Sequence, residues 1–315
     1  MGDDDVVQPP GQIGWAWPMT STAERMRMPD YSIWIVEYGY IDQFPASNMF
    51  TAQPNEGHRR MPYCFGVLRS AERNILVDTG FADESWYPRL TKKYGPTSWQ
   101  APIDVLRKCG VTAEEIDTVI LTHSHFDHAG CVDAFPNARV VIQRREIDIY
   151  RESLARGPRY EYLTRSCQPD LADYLESRPE GMVLWATGTT PVLDGITVVP
   201  ASDTHTAGSQ VVVVENGVDG RWLMAGDIVY QYENLEGLHD DGVLAPIGMT
   251  TGSAARWIDF VDEMLDLTGG DIQRILPFHE LKVWERFPSR LYDDGLHVAE
   301  ISLAGGHESV LAKVP

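Results

Sequence analysis

The chain has 315 residues, 43% hydrophobic and 23% charged, a balance that supports a sizeable buried core and excludes a low-complexity or disordered protein. Its 26 basic and 46 acidic residues leave a net charge of −20, with no basic run longer than a pair such as Lys92-Lys93 or Arg144-Arg145, which weighs against a nucleic-acid partner. No apolar stretch approaches the roughly 20 residues of a membrane span, so no membrane partner is expected either.

Cys64, Cys109, Cys131 and Cys167 show no paired spacing, which points to a reducing cytoplasmic setting. The acidic opening Met1-Gly2-Asp3-Asp4-Asp5 is unlike the basic start and apolar run of an export signal, and Val6 stands where a myristoylation motif has Ser or Thr. Residues 1–30, rich in Pro, Gly, Met and Trp, read as an extended arm. Trp15, Trp17 and Met19 need burial there, either on the parent domain or on a second subunit, the latter making the protein a homodimer.

Residues 31–315 read as one main domain. Residues 31–40 have strand composition, 41–60 read as a loop, and 63–68 with 75–77 read as a hairpin around the polar turn 70–74. The loop 81–99 carries Trp86, Tyr87 and Trp99, as pocket walls or as ordinary packing. A short helix over 102–109 stops at Gly110, Thr112 with Glu115 forms a capping box, and the β-branched run 117–121 reads as a buried strand. Farther on, 139–142 is a strand and 146–154 a helix. Residues 157–187 read as an insertion of helical-hairpin type whose Tyr160, Tyr162, Leu163 and Tyr174 are candidates for substrate contact. A hairpin over 192–199 turns at Asp194-Gly195, a second joins 210–215 to 222–224, and 254–267 is a helix with Trp257, Phe260, Val261 and Leu265 on one face. Strand pairs followed by a helix, twice over, predict a layered α/β fold, a four-layer αββα sandwich with its site at the strand ends.

The segment Thr122-His123-Ser124-His125-Phe126-Asp127-His128-Ala129-Gly130, directly after the buried strand, packs three histidines and a carboxylate into six positions. Residues two apart in an extended segment point the same way, so His123 and His125 can converge on one ion while the turn swings Asp127 and His128 toward a second. Imidazole and carboxylate suit Zn, Fe, Co or Mn, and no nearby Cys pair signals a closed structural zinc site. The alternative, capping or surface histidines, leaves three within six positions without a shared purpose.

His-x-His-x-Asp-His after an apolar strand resembles the signature of the metallo-β-lactamase fold superfamily. The resemblance spans about residues 31 to 280 and extends to three further segments. The stretch 200–210 resembles the one that supplies a third histidine, His205; Leu223-Met224-Ala225-Gly226-Asp227 resembles the strand end with a bridging aspartate, Asp227; and Ile275-Leu276-Pro277-Phe278-His279 resembles the last histidine segment, ending in His279. The family usually has Gly where Phe278 stands, a departure that implies an altered pocket wall near His279. The resemblance implies a catalytic domain with two divalent metal ions, zinc above Fe, Mn or Co, one on His123, His125 and His205, the other on Asp127, His128 and His279, with Asp227 between them. Asp127 would also orient the attacking hydroxide or shuttle its proton, and Asp78 would hold the loop beneath the metals by hydrogen bonds.

After the bridging carboxylate, Asp227, Tyr230, Glu233 and Asn234 resemble the Asp-x-x-Tyr-x-x-Glu-Asn segment of N-acyl homoserine lactonases and, less closely, of pyridoxolactonases. That implies a metal-dependent hydrolase that opens a small cyclic ester by attack of a hydroxide shared by two cations, with Tyr230 donating to a substrate oxygen. Tyr230 and Tyr232 compete for that role against simple packing. The competing functions are cyclic amide, thioester or phosphodiester hydrolysis on the same metals, and an iron-dependent oxygenase. His58, His239, His297 and His307 fall outside the pattern and read as surface or hydrogen-bonded residues, with His239 a candidate for the pocket edge.

Overall fold

In the computed structural model, which describes residues 29–51, 57–82, 95–217 and 219–312, two sheets occupy the centre. The first is built by β1 (Ser32–Pro45), β2 (His58–Arg69), β3 (Asn74–Val77), β4 (Thr118–Ile120), β5 (Arg139–Gln143) and β6 (Val183–Ala186), side by side in chain order. The second contains β7 (Thr190–Leu193), β8 (Ile196–Pro200), β9 (Gln210–Asn216), β10 (Gly220–Gly226) and β11 (Ile275–Pro277). The chain then returns to the first sheet, where β12 (Ser289–Leu291) and β13 (His297–Ser302) extend it beyond β1. The helices used below are α1 (Pro102–Val105), α2 (Phe126–Ala129), α3 (Arg144–Ala155), α4 (Leu171–Ser177) and α5 (Ala254–Thr268).

Side-chain alternation sorts the layers. Ile33, Ile35, Ile75, Val77, Ile120 and Val141 of the first sheet meet Ile196, Val198, Val212, Val214 and Leu276 of the second in one buried cluster. Their strand neighbours Leu76, Val119, Val140 and Ile142 join Leu106, Ile147 and Leu175 on the helical side. Parallel pairing of β3 with β4, β4 with β5 and β5 with β6 explains why these strands are apolar on both faces. Across the second sheet, α5 buries Trp257, Phe260, Val261 and Met264. Ser253 caps its N-terminus and Gly269, at φ 67°, ends it in the left-handed conformation. The αββα sandwich is thus present.

Three expectations change. The two ends of the expected loop 41–60 are strand, because β1 and β2 continue pairing as far as Pro45 and His58, and Ala46–Met49 form a short helix between them; this hairpin depends on its partner strand rather than on local composition. Residues 157–187 are not a helical hairpin: a 3-10 segment, Pro158–Leu163, leads to α4, whose Leu171, Ala172 and Leu175 are buried, and the last stretch is β6. Two C-terminal strands were not apparent from sequence, since β13 acquires its identity from the distant β1. The capping box of Thr112 and Glu115 forms as expected. The proposed N-terminal arm, Trp86 and Tyr87 lie outside the described residues. Trp99 stacks on Phe81 with ring centroids 6.2 Å apart, which is packing. Among the described residues no helix is long and apolar enough to cross a membrane.

The topology delivers β3, β4, β8, β10 and β11 with their C-terminal ends leading into Asp78, His123 to His128, His205, Asp227 and His279. Trp257 ties the outer helix to this edge, because its indole N–H donates to the carbonyl of Ile228 at 2.6 Å, next to Asp227. Trp257→Ala should therefore lower unfolding stability by about 3–5 kcal/mol, the usual cost of emptying a buried aromatic site. Urea denaturation monitored by circular dichroism measures this, and a loss below about 1 kcal/mol would contradict the packing described.

Candidate metal centre

The seven predicted side chains come together. His123, His125, His205 and Asp227 form one group and Asp127, His128 and His279 another, with the ligand-capable atoms within each group no more than 4.8 Å apart. All seven are buried. The split of Asp227 organises the two groups. Its Oδ1 lies 2.9 Å from both His128 Nε2 and His279 Nε2, while its Oδ2 lies 3.2 Å from His205 Nε2 and 3.8 Å from His123 Nε2. Asp127 Oδ2 sits 3.7 Å from His279 Nε2 and 3.8 Å from His128 Nε2.

Outward hydrogen bonds set which ring nitrogen faces inward. His279 donates from Nδ1 to the carbonyl of Pro62 at 2.6 Å, and His128 Nδ1 lies 2.7 Å from Asp78 Oδ2. Thr122 Oγ1 donates to Asp78 Oδ2 at 2.8 Å and so accepts from His123 Nδ1 at 3.0 Å. Each of these rings then presents Nε2 to the centre, while His125 presents Nδ1, 3.0 Å from His205 Nε2.

This arrangement fits metal ions. His123 Nε2, His128 Nε2 and Asp227 Oδ1 are buried without a hydrogen-bond partner among the described residues, the short approaches to Asp227 lacking the alignment of a hydrogen bond. The inward-facing ring nitrogens of His125 and His205, 3.0 Å apart, share one hydrogen bond in the protein alone, and a cation about 2.0–2.1 Å from each would engage both as ligands. Burial and the neighbouring rings hold His123 and His125 well below the ordinary imidazole range, leaving them neutral at neutral pH, the form that coordinates. Burial opposes charge on Asp227, but His128 and His279 outweigh it and hold the carboxyl well below its usual range. Burial likewise pushes Asp127 upward.

Two carboxylates beneath the centre fasten its loops. Asp78, in the left-handed region at φ 64°, accepts from the backbone N–H of Thr122 at 2.7 Å in addition to the bonds above, as sequence analysis anticipated. Glu146, from the first turn of α3, was missed. One of its oxygens accepts from Ser124 N and Oγ at 3.0 and 2.6 Å, and the other from Thr206 Oγ1 and Gly208 N at 2.8 and 2.7 Å. It therefore joins the His123–His125 stretch to the His205 loop. Gly208 is required there, since a Cβ would lie 2.3 Å from the Glu146 backbone nitrogen.

Tyr230 is 1% exposed, with its hydroxyl 3.5 Å from His205 Nδ1 and its ring edge-on to His205. Tyr232 is the packing residue of the pair: its hydroxyl donates to Ile275 O at 3.0 Å and Arg286 covers its ring. Burial and the carboxylates Asp227 and Asp127 push the Tyr230 phenol well above its ordinary range. Phe278 is not a pocket wall. It lies fully buried between the sheets, parallel to the His128 ring, and Gly66 on β2 leaves room for it. A cavity of about 290 Å³ behind the histidine loops, bordered by Ser124, Tyr150, Leu163, Cys167 and Thr206, contains none of the seven candidate ligands. Tyr162, 53% exposed, donates to Thr250 O at 3.3 Å, whereas Tyr174 packs against Val132 and Arg178, away from the centre. His58 and His239 are exposed, His297 pairs with the buried Glu37 and His307 bonds Ser32.

The chain belongs to the metallo-beta-lactamase superfamily, whose sequence profile matches residues 65–279. It is 28% identical over 197 residues to an N-acyl homoserine lactonase of Bacillus cereus, an alignment that covers 55% of this chain and 66% of that relative. Its fold is similar to that of an N-acyl homoserine lactone hydrolase with the product N-hexanoyl-L-homoserine at its catalytic metal centre, with TM-score 0.61 and 19% identity over 82% of this chain and 96% of that one. It is also similar to AidC, a dizinc quorum-quenching lactonase, with TM-score 0.60 and 17% identity over 88% of this chain and 96% of that one.

Asp78→Asn keeps the side-chain shape and tolerance of positive φ but weakens the charged acceptor beneath His128 and Thr122. Metal affinity should fall roughly 10–100-fold, measured by competition with a chromophoric chelator. An unchanged affinity would show that Asp78 only shapes the turn.

Proposed function

We propose that this protein is a dinuclear metal-dependent hydrolase that opens small lactones. The observation that carries the reading is Asp227, whose two oxygens face two separate sets of donors while Tyr230 stands against His205. His123, His125 and His205 would hold one cation and Asp127, His128 and His279 the other, with Asp227 placed to serve both. The nitrogen and oxygen donors suit zinc, with iron, manganese or cobalt as alternatives. Bound divalent cations supply an activated water at neutral pH and polarise the acyl oxygen.

The chain's own groups do the rest. Asp127 orients the attacking water and takes up its proton. The water oxygen bonds to the acyl carbon, the ring C–O bond breaks, its electron pair leaves on the ring oxygen, and the proton ends there to give a hydroxy acid. Tyr230 donates a hydrogen bond to the substrate oxygen on its side. Tyr162 supplies a flat, half-exposed surface near the Tyr230 phenol, suited to the apolar part of a ring-containing ester. The similarity to relatives named N-acyl homoserine lactonases supports this substrate class.

Elemental analysis of fully active protein should find two metal ions per chain, and Asp227→Ala should lose both metal and turnover, because the carboxylate offsets the repulsion of two adjacent cations. A stoichiometry near one, with oxygen consumed during turnover, would instead support an iron-dependent oxygenase. Within a panel of lactones, cyclic amides, thioesters and bis-p-nitrophenyl phosphate, the lactones should react fastest; a faster phosphodiester would overturn the substrate class. Tyr230→Phe keeps the ring and should reduce kcat on the best lactone by roughly 10–1,000-fold with metal content intact and a smaller change in KM. Wild-type turnover in that variant would reduce Tyr230 to packing.

A further inference from the structure

We propose that Tyr63 is a second substrate-facing donor of this site, set across His279 from Tyr230, and that its hydroxyl bonds the ring oxygen of the lactone. The proposal rests on the lactone-hydrolase reading above. Tyr63 lies on β2 directly after Pro62, whose carbonyl fixes His279. Its ring meets the His279 ring edge-on, with centroids 5.6 Å apart at 76°, and Tyr230 touches the same imidazole at 5.6 Å. Tyr38, on the paired strand β1, shows where such a side chain leads. The Tyr38 and Tyr63 rings lie 5.8 Å apart and only 27° from parallel, and the Tyr38 hydroxyl ends on the Asp127 carbonyl at 2.9 Å. Running alongside, the Tyr63 hydroxyl reaches the same neighbourhood, where Asp127 and then Asp227 are its charged neighbours. The Tyr230 phenol has the same two carboxylates as neighbours in the opposite order, and Tyr63 among its further ones.

The Tyr63 hydroxyl has no hydrogen-bond partner among the described residues, and although the residue is only 6% exposed its oxygen is not one of the fully enclosed, unpartnered polar atoms, so it stays open to a ligand or to solvent. A packing role alone gives the hydroxyl no purpose, since an accessible donor with no protein partner adds nothing to the ring contacts that Phe would not supply. The surroundings already suit a plain ring: Phe81 packs edge-on at 5.3 Å and Tyr38 lies parallel. A substrate oxygen supplies the missing acceptor. An ester carries two oxygens on its acyl carbon, and donors arriving from the His205 side and the His279 side can each take one. Asp127, which carries the proton that the departing oxygen needs, stands on the Tyr63 side, and this assigns the ring oxygen to Tyr63.

The test is Tyr63→Phe on metal-loaded enzyme, assayed with a lactone, the matching thiolactone and the ring-opened hydroxy acid as a competitive ligand. Sulfur is a weak acceptor, so a bond to the ring atom matters for the lactone and little for its sulfur analogue. Metal content and Tm should stay at wild-type values. Lactone kcat should fall about 10–100-fold, hydroxy-acid binding by calorimetry should weaken about 3–10-fold, and thiolactone kcat should change less than about twofold. Equal losses on lactone and thiolactone would overturn the ring-oxygen assignment, and unchanged lactone turnover with unchanged product binding would overturn the role of Tyr63 altogether. A wild-type protein that opens no lactone would remove the parent reading and this proposal with it, an outcome visible before the variant is made.

Discussion

Burying Asp227 among four imidazole nitrogens is the constraint to which the rest of this structure answers. An isolated buried carboxylate costs several kcal/mol after relaxation, so positive charge must sit beside it. In the protein alone His128 supplies that charge: burial works against its protonation, but Asp227, Asp127 and Asp78 overcome this and hold its imidazole well above the ordinary range. Under the proposed function, cations between the donors would replace that proton and give the four rings a ligand role. Four ligand-bearing segments, with Asp78 beneath them from a fifth, must then arrive within a few ångströms, and a sandwich in which β3, β4, β8, β10 and β11 all lead into one edge provides this.

The fastening of those segments is itself ionic and buried. Asp78 ties the end of β3 to Thr122 and His128, Glu146 ties the loop after β4 to the one after β8, and the Pro62 carbonyl ties β2 to His279. Each buried oxygen of Glu146 carries two hydrogen bonds, so its desolvation is met and its geometry is fixed. Donors held this way need no reorganisation when a reaction develops charge, which is the condition for electrostatic catalysis.

How much of this was legible in the sequence depends on how local each signal is. His123, His125, Asp127 and His128 could be read directly because their spacing lies within one strand end and one turn. His205, Asp227 and His279 have no local mark and came only through resemblance to a family. Glu146 was invisible: a glutamate in the first turn of a helix is ordinary for reasons of helix dipole alone, and only the fold shows that two distant loops end on it. Tyr63 was hidden for a related reason. It sits in an apolar strand, Tyr63 to Leu68, where an aromatic residue reads as core, and nothing in the strand reveals that its hydroxyl lies beside Asp127. Phe278 shows the converse, since the departure from the family's Gly pointed to an altered pocket wall, whereas Gly66 on a neighbouring strand absorbs the ring between the sheets.

The same division separates the candidate ligands from the groups around them. Candidate ligands follow strand ends, whose positions are fixed by sheet pairing and by buried carboxylates. The groups over the centre come from elsewhere: Tyr162 from the 3-10 segment Pro158–Leu163, Tyr230 from the turn after β10, and Tyr63 from β2. Tyr162 is joined to the centre through the loop 247–252, whose Thr250 accepts its hydroxyl while bonding the His205 carbonyl at 2.7 Å. That loop includes Met249 at φ 50°, a conformation that costs energy for a side chain of this kind and persists only where surrounding bonds enforce it. None of these three tyrosines is among the candidate ligands, so under the proposed function they would shape the space for the ester without holding the metals. On that reading substrate choice turns on Tyr63, Tyr162 and Tyr230 rather than on the histidines.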